Sequence, residues 1–164
     1  MYALWNENFS RSLHRLTGRL DRAADAFLRA EAGVSYARFL ALYMVGSEGA
    51  DTQRALADRL GVSEPSVSRM VRVLADDGLL EAMPDPLGGN RNRLRLTAAG
   101  EQLVTRWGVD LEERLARLLE SASVPYRAYL THTKRLLAAL ETPPASRERP
   151  PAAVTTRSPA RSHG

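Results

Sequence analysis

The stretch from Thr52 to Thr97 constrains the fold of this chain more than any other part of it. Two short segments with apolar residues at three- and four-residue steps predict two helices, and Gly61 separates them. A run of turn residues and an alternating segment follow, which predicts a two-stranded hairpin. Helix, turn, helix and hairpin in this order indicate a winged helix-turn-helix, so the predicted fold class is mainly α with a small β-hairpin wing.

The residues at the predicted helix ends agree with this interpretation. Thr52 can cap the first helix, because its hydroxyl can accept a backbone N–H that is unpaired in the first turn. Gly61 can take the left-handed conformation that ends a helix at a tight turn. Ser63 is predicted to cap the second helix, whose first turn accommodates Pro65. On its own, such a pair is equally well explained as a helical hairpin without a role in DNA binding.

The hairpin that follows favours a role in DNA binding. Its predicted strands are Leu79–Met83 and Arg91–Leu96, and turn residues fill the segment between them. The second strand alternates with period two, so Arg91, Arg93 and Arg95 lie on one face and the leucines on the other. A basic hairpin beside a recognition helix can reach phosphates or the adjacent minor groove. The sequence therefore predicts a protein that binds double-stranded DNA.

The second helix of the pair is predicted to lie in the major groove with its N-terminal end toward the bases. On its outer face Arg69 can pair bidentately with a guanine, whereas Arg72 and Arg54 are expected to contact phosphates. Arg91 and Arg93 are expected to reach the minor groove from the wing. The full set of predicted DNA-binding residues is Arg54, Ser63, Ser66, Ser68, Arg69, Arg72, Arg91 and Arg93.

Long amphipathic segments flank this module on both sides. Residues 2–30 predict one helix, and residues 98–141 predict two helices separated at Pro125. A helix of about 29 residues spans about 43 Å, which is more than one small domain can cover. The stripes alone would equally suit a monomeric bundle, but their length favours an intertwined homodimer. The predicted domain is 1–141, with a DNA-binding module at about 35–97 between dimerisation helices at about 2–30 and 98–141.

The ordered set of motifs in this region resembles the MarR family of bacterial transcriptional regulators. The set comprises a Ser-Arg pair in the recognition helix at 68–69, Asp-Gly-Leu-Leu leading into the wing at 77–80, and Leu-Thr-x-x-Gly leaving it at 96–100. The resemblance covers roughly residues 8–140. It implies a homodimer in which the terminal helices of two chains interleave and the winged modules hang below them.

The wing tip departs from the family pattern. Family members often carry an acid there that positions the arginine of the minor groove. In this chain the tip reads Gly-Gly-Asn-Arg, so the only neighbour that can support Arg91 in this way is Asn90.

The resemblance also implies how the protein acts. It points to a sequence-specific regulator, a homodimeric repressor on an inverted-repeat operator with half-sites about 10 bp apart. Family members often release DNA when a small aromatic or anionic effector enters the cleft between the dimer helices and the winged module. An effector can act only by binding the DNA-competent and DNA-incompetent states unequally. The residues expected to line the cleft are His14, Arg15, Tyr36, Arg38, Tyr43 and Trp107.

Composition argues against several other classes of function. The chain has no cysteine, which excludes disulfides, thiolate metal sites and a thiol redox switch. No apolar run approaches the ~20 residues that span a bilayer, and no N-terminal signal is visible, so we expect a cytoplasmic location without membrane contact. The three histidines are far apart, and no phosphate loop, nucleophilic triad or carboxylate pair is recognisable. We therefore expect neither an enzyme, nor a metal, nor another cofactor.

The C-terminal tail accounts for most of the net charge. Residues 142–164 are rich in Pro, Ala and Arg, and we expect this basic segment to be disordered. They carry four arginines against one glutamate, so of the net charge of +4 only about +1 belongs to residues 1–141. A nearly neutral core also fits the alternative function, a winged-helix module for protein–protein contact. The basic face of the wing favours DNA instead.

Overall fold

The computed structural model describes residues 8–84 and 92–141. The elements within these ranges are α1 Phe9–Ala32, α2 Tyr36–Ser47, α3 Gln53–Leu60, α4 Glu64–Asp76, β1 Leu80–Pro84, β2 Asn92–Leu96, α5 Ala98–Ser121 and α6 Tyr126–Glu141. The fold is mainly helical with a two-stranded hairpin, as predicted. By internal packing the chain divides into two compact units, one up to Leu118 and one from Leu119 onward. No helix in the described ranges is both long and apolar enough to cross a bilayer.

Side-chain caps set the starts of the first two helices. The predicted opening turns of the first helix, residues 2–7, lie outside the described residues. α1 begins at Phe9, because the Asn8 side chain accepts a hydrogen bond from the Arg11 N–H (3.0 Å). α2 follows Ser35, whose hydroxyl accepts the N–H of Arg38 (3.4 Å).

The turn between α3 and α4 forms as the sequence predicts. The Thr52 hydroxyl accepts the N–H of Ala55 (3.1 Å) and caps α3. Gly61 ends α3 with a φ of +65°, a backbone region that a residue with a Cβ enters only at a cost. The apolar sides of both helices then meet in the core, where Leu56 of α3 and Val67 of α4 are fully buried. This burial fixes which side of α4 is left for a partner.

The wing is an antiparallel hairpin with an additional bridge at its base. β1 and β2 pair in register from Leu80 with Leu96 to Pro84 with Asn92. An isolated antiparallel bridge joins Arg93 of β2 to Thr52, just before α3. The leucines of β2 are buried and its arginines face outward, as the alternation predicts. The tip, residues 85–91, lies outside the described residues.

Thr97 fixes the junction between the wing and α5. Its hydroxyl accepts the N–H of Gly100 (3.1 Å) and donates to the carbonyl of Gly78 (2.7 Å). Its own N–H donates to the carbonyl of Leu79 (3.2 Å). Gly100 packs so closely here that a Cβ on it would lie 2.1 Å from the Leu79 carbonyl oxygen. The first turn of α5 is therefore held against the chain that links α4 to the wing.

Two apolar clusters form the core of the first unit. The larger one joins α2, α3, α4, the wing and the start of α5, and its most buried side chains include Leu42 and Leu74. The smaller one joins α1, α2 and α5 around Leu28, Val34 and Phe39. The winged module and the helices that flank it thus share α2 and α5.

Two apolar helix faces stay exposed in the single chain. On α1, Leu13 and Leu16 are 44% and 40% exposed. On α6, which forms part of the second unit, no residue is buried, and Leu137 and Leu140 are 54% and 83% exposed. The spacing of Leu130, Leu136, Leu137 and Leu140 predicts an apolar stripe that faces inward, and within one chain that prediction is wrong, because all four are exposed. Too few neighbouring side chains of the same chain cover this face.

Candidate nucleic-acid interface

Helix α4 presents a polar face away from the core. Val67, Val71 and Leu74 are buried on its inner side. Met70 also packs against the core, and because an α-helix repeats every 3.6 residues, the polar residues of α4 lie on the opposite side. Four of the predicted DNA-binding residues lie on this helix, half-buried (Ser66, Ser68) or exposed (Arg69, Arg72). The polar face of this helix is therefore turned away from the core, as docking in a major groove requires.

At the N-terminal end of α4, hydrogen bonds link the hydroxyl groups of Ser63 and Ser66 to the guanidinium of Arg69. Ser63 has the extended backbone of a cap residue, but its hydroxyl makes no capping hydrogen bond, so the predicted capping bond is wrong. Its oxygen instead lies 2.9 Å from the hydroxyl oxygen of Ser66. Ser66 in turn accepts a hydrogen bond from Nη2 of Arg69 (3.4 Å). These contacts orient the guanidinium toward the N-terminal end of the helix.

Ion pairing divides the arginines near this face into two groups. Within the described residues, Arg54, Arg69 and Arg72 have no carboxylate partner. Four others do have one: Arg38 with Asp77 (3.6 Å), Arg59 with Glu48 (2.7 Å), Arg93 with Asp51 and Arg95 with Glu81 (3.6 Å). The outer side of the helix-turn-helix therefore carries positive charge that no carboxylate of the described residues neutralises.

Of the two wing residues predicted to contact DNA, the structure describes only Arg93. Arg91 falls in the segment outside the described residues. Arg93 is ion-paired with Asp51, which is not among the predicted DNA-binding residues. Nothing in the local sequence signals this pair, because its partners are 42 positions apart.

A second feature of the first unit is a cavity of about 900 Å³ between α1, α2 and α5. Burial, with the nearby carboxylates of Asp21 and Glu112, raises the pKa of the Tyr36 phenol, so this hydroxyl remains a neutral hydrogen-bonding group. The cavity combines an apolar volume with a few polar groups, which is typical of small-molecule sites. Its aromatic lining consists of Phe27, Tyr36, Phe39 and Tyr43.

Asp25 holds Tyr36 at this cavity. One carboxylate oxygen accepts the backbone N–H of Tyr36 (2.8 Å), and the other accepts Nε of Arg29 (2.7 Å). The hydrogen bond from Arg29, followed by that from Tyr36, lowers the pKa of the Asp25 carboxyl below its ordinary value. The start of α2 is thereby fixed to α1 beside the cavity.

The six residues predicted to line an effector cleft do not all meet. Tyr36 and Tyr43 line the cavity. Trp107 stands outside the lining, with its ring centroid 5.7 Å from that of Phe27 in an edge-to-face arrangement. Arg38 is paired with Asp77 instead, and two residues lie on the exposed face of α1, namely His14 and Arg15.

Sequence reasoning missed Arg114 as a cavity residue. Its guanidinium carbon lies 3.8 Å from the ring centroid of Phe27, and both residues line the cavity. A cation above an aromatic face is an attractive contact, so it orients both groups. The only signal in the sequence was the phase of Phe27 on the apolar stripe of α1.

The fold and the outer face of α4 define a helix-turn-helix transcriptional regulator of the winged type. The sequence model of the MarR family matches residues 32–89. An HTH-type transcriptional regulator of Mycobacterium bovis is 33% identical over 107 residues, which is 65% of this chain and 75% of that protein. The chain belongs to the MarR family.

Solved structures share the same fold. A variant of MarR from E. coli in complex with operator DNA aligns with a TM-score of 0.65 at 20% identity, covering 85% of this chain and 99% of the other. NadR in complex with 4-hydroxyphenylacetate aligns with a TM-score of 0.68 at 23% identity, covering 81% of this chain and 92% of the other. At these identities the likeness concerns the fold.

Proposed function

We propose that this regulator is a homodimeric repressor that binds an inverted-repeat operator and is released by a small aromatic molecule. The observation that carries the DNA-binding part is the outer face of α4, where Arg69 and Arg72 lack carboxylate partners among the described residues. Arg54 adds a third such charge on α3. The complex of a MarR variant with operator DNA, on the same fold, supports this assignment.

Each chain places the N-terminal end of α4 against base edges in the major groove. Arg69, with Ser66 and Ser68 beside it in sequence, contacts the bases, and a bidentate pair with guanine is the contact its fork geometry favours. Arg72 and Arg54 neutralise phosphates and so set register and affinity. Ser63 contributes through its hydroxyl contact with Ser66, and Arg91 enters the minor groove from the wing.

The exposed apolar faces support the dimer. Leucines that are half or more exposed, such as Leu137 and Leu140 of α6, leave an apolar surface that a second copy can bury. Most homo-oligomers are closed two-fold dimers. Two α4 helices related by such an axis require half-sites about one helical turn apart, in inverted orientation.

Selection of binding sites from random duplex DNA tests this function. We expect an inverted repeat, and we expect affinity for it to fall steeply with salt, because phosphate neutralisation releases counterions. Addition of the protein should lower transcription in vitro from a promoter that carries the site. A protein–protein module would enrich no sequence, and a site of one half alone would contradict the dimer.

A charge on the α6 stripe should separate the dimer. We expect Leu137→Asp to weaken dimerisation by about 3–6 kcal/mol, because the lost apolar burial occurs twice across a two-fold axis. Sedimentation at micromolar concentration measures this change. Ala128→Asp, exposed on the other side of α6, is the matched control and should stay dimeric. Identical sedimentation of the two variants would place the interface elsewhere.

The α1–α2–α5 cavity is the site that we propose for the effector. Its aromatic lining suits a ring, and the Tyr36 hydroxyl can bond to a polar substituent. NadR, which shares the fold, binds 4-hydroxyphenylacetate. α2 and α5 both line the cavity and both pack in the core of the winged module, so occupancy can bias the spacing of the two α4 helices.

Filling the cavity should abolish the response to such a molecule. Ala24 lines the cavity, so Ala24→Phe should leave operator binding intact while removing release by aromatic probes such as 4-hydroxyphenylacetate. Ala26→Phe, two residues along α1 and outside the lining, should respond as the unmodified protein does. Operator binding in a gel-shift titration with the probe measures both. Release that is equal in the two variants would exclude this cavity as the effector site.

A further inference from the structure

We propose that Asp51 is a positioning residue for DNA binding: through Arg93 it holds the wing, β1 and β2, at a fixed angle to the helix-turn-helix. The proposal rests on the DNA-binding function proposed above and assigns to Arg93 a role other than entry into the minor groove. Two interactions meet at this point. Asp51 and Arg93 form an ion pair, and Thr52 forms an antiparallel β-bridge with Arg93, to which the hydrogen bond from the Leu94 N–H to the Asp51 carbonyl (2.7 Å) belongs.

The same short segment also starts the helix-turn-helix. Thr52, which bridges to the wing, caps α3 through its hydroxyl. α3 packs against α4, the recognition helix, in one core cluster. Asp51 and Thr52 therefore connect the wing to the start of α3. This connection is separate from the covalent link between α4 and β1.

The wing needs such a connection, because a two-stranded hairpin is only marginally stable by itself. Its buried anchors all lie near one end, at Leu80, Leu94 and Leu96, whereas Met83 is 49% exposed. These leucines fix the face of the hairpin that meets the core. The ion pair at Arg93 restrains β2 from the side, one residue nearer to the hairpin tip than Leu94.

Stability alone does not account for the ion pair. Its side chains are 42% and 44% exposed, and pairs this exposed contribute little to folding. A charged arginine at a DNA-facing wing is also worth more unpaired, since a free cation attracts phosphates. A carboxylate that neutralises it lowers that attraction, so the geometric restraint is the benefit that the pair provides.

The decisive variant is Asp51→Ala, because the two explanations predict opposite signs. Removing a carboxylate from a DNA-binding surface should strengthen binding if charge alone matters. If Asp51 positions the wing, we expect affinity for the selected operator to fall about tenfold, the size of one lost base or groove contact. Hydroxyl-radical footprinting should then show weaker protection at the flanks that the wing covers, with the major-groove half-sites still protected.

Three further proteins complete the test: Glu81→Ala, the single variant Arg93→Asp and an exchanged double variant. Glu81→Ala removes the carboxylate of another wing ion pair, that with Arg95, and should leave affinity equal or slightly higher. The exchanged double variant, Asp51→Arg with Arg93→Asp, restores the pair in reverse and should recover affinity to within about threefold, which no purely electrostatic phosphate contact would allow.

The outcomes separate this proposal from the proposed function. Unmodified protein that enriches no DNA site refutes the function. Unmodified protein that binds, with Asp51→Ala equally tight or tighter, refutes the positioning role alone. So does a double variant that binds as weakly as Arg93→Asp, because an acid at position 93 would then be the whole defect. Thermal unfolding of each variant, expected within a few degrees of the original, confirms that folded protein is compared.

Discussion

Arg69→Ala is expected to weaken operator binding by about 1–3 kcal/mol and to relax the preference at one base pair of each half-site. The reason lies in the geometry of α4. Arg69 is exposed near the N-terminal end of the helix, has no carboxylate partner among the described residues, and is oriented by the Ser66 hydroxyl. A guanidinium so placed offers two parallel donors to a guanine edge.

Arg72→Ala is the matched control for this loss of specificity. It lies one turn further along α4, is also exposed, and is expected to contact a phosphate. Its loss should weaken binding to all sequences alike and reduce the slope of affinity against salt by about one. Repeating the site selection with both variants distinguishes them. An unchanged base preference in Arg69→Ala would remove this residue from base recognition.

Gly100→Ala is expected to destabilise the fold by about 1–3 kcal/mol or more, although alanine is the better helix former. An added Cβ would lie 2.1 Å from the carbonyl oxygen of Leu79, far inside contact distance. That oxygen also accepts the N–H of Thr97, so it cannot move without loss of another bond. The helix-propensity gain of about 1 kcal/mol is too small to offset this overlap.

Gly108→Ala provides the comparison within the same helix. The nearest atom to an added Cβ there is Cζ of Phe39 at 3.9 Å, an ordinary contact. This variant should therefore unfold at the original temperature or a few degrees above it. Calorimetry should show Gly100→Ala unfolding several degrees below both. Equal stability of the two alanine variants would mean that the junction at Leu79 relaxes freely.

The helix-turn-helix was predictable because its signals are local. Thr52 caps α3 and Gly61 ends it through groups within four residues of each other along the chain. The buried side of α4 followed from its 3.6-residue period. The capping bond predicted for Ser63 fails for an equally local reason: Ser66, one turn on, takes the hydroxyl contact instead.

The remaining features depend on residues that only the fold brings together. Alternation placed Arg93 correctly on the outer face of β2, yet its partner, Asp51, comes from the loop before α3. The cavity combines three helices, so the phase of each one alone could not show that Phe27 and Arg114 would meet. The apolar stripe of α6 predicts a core that a single chain does not supply.

The junction at Thr97 connects α5, which lines the cavity, to the end of the recognition helix. Thr97, directly before α5, is hydrogen-bonded to Gly78, two residues after the end of the recognition helix, and α5 lines the cavity from Val104 onward. From Gly100 to Val109 the axis extends about 14 Å, so a sideways displacement of 1 Å at the cavity tilts α5 by about 4°. Under the proposed function, the winged module is attached at that end, so the tilt that operator docking tolerates would set the size of the effector to which the protein responds.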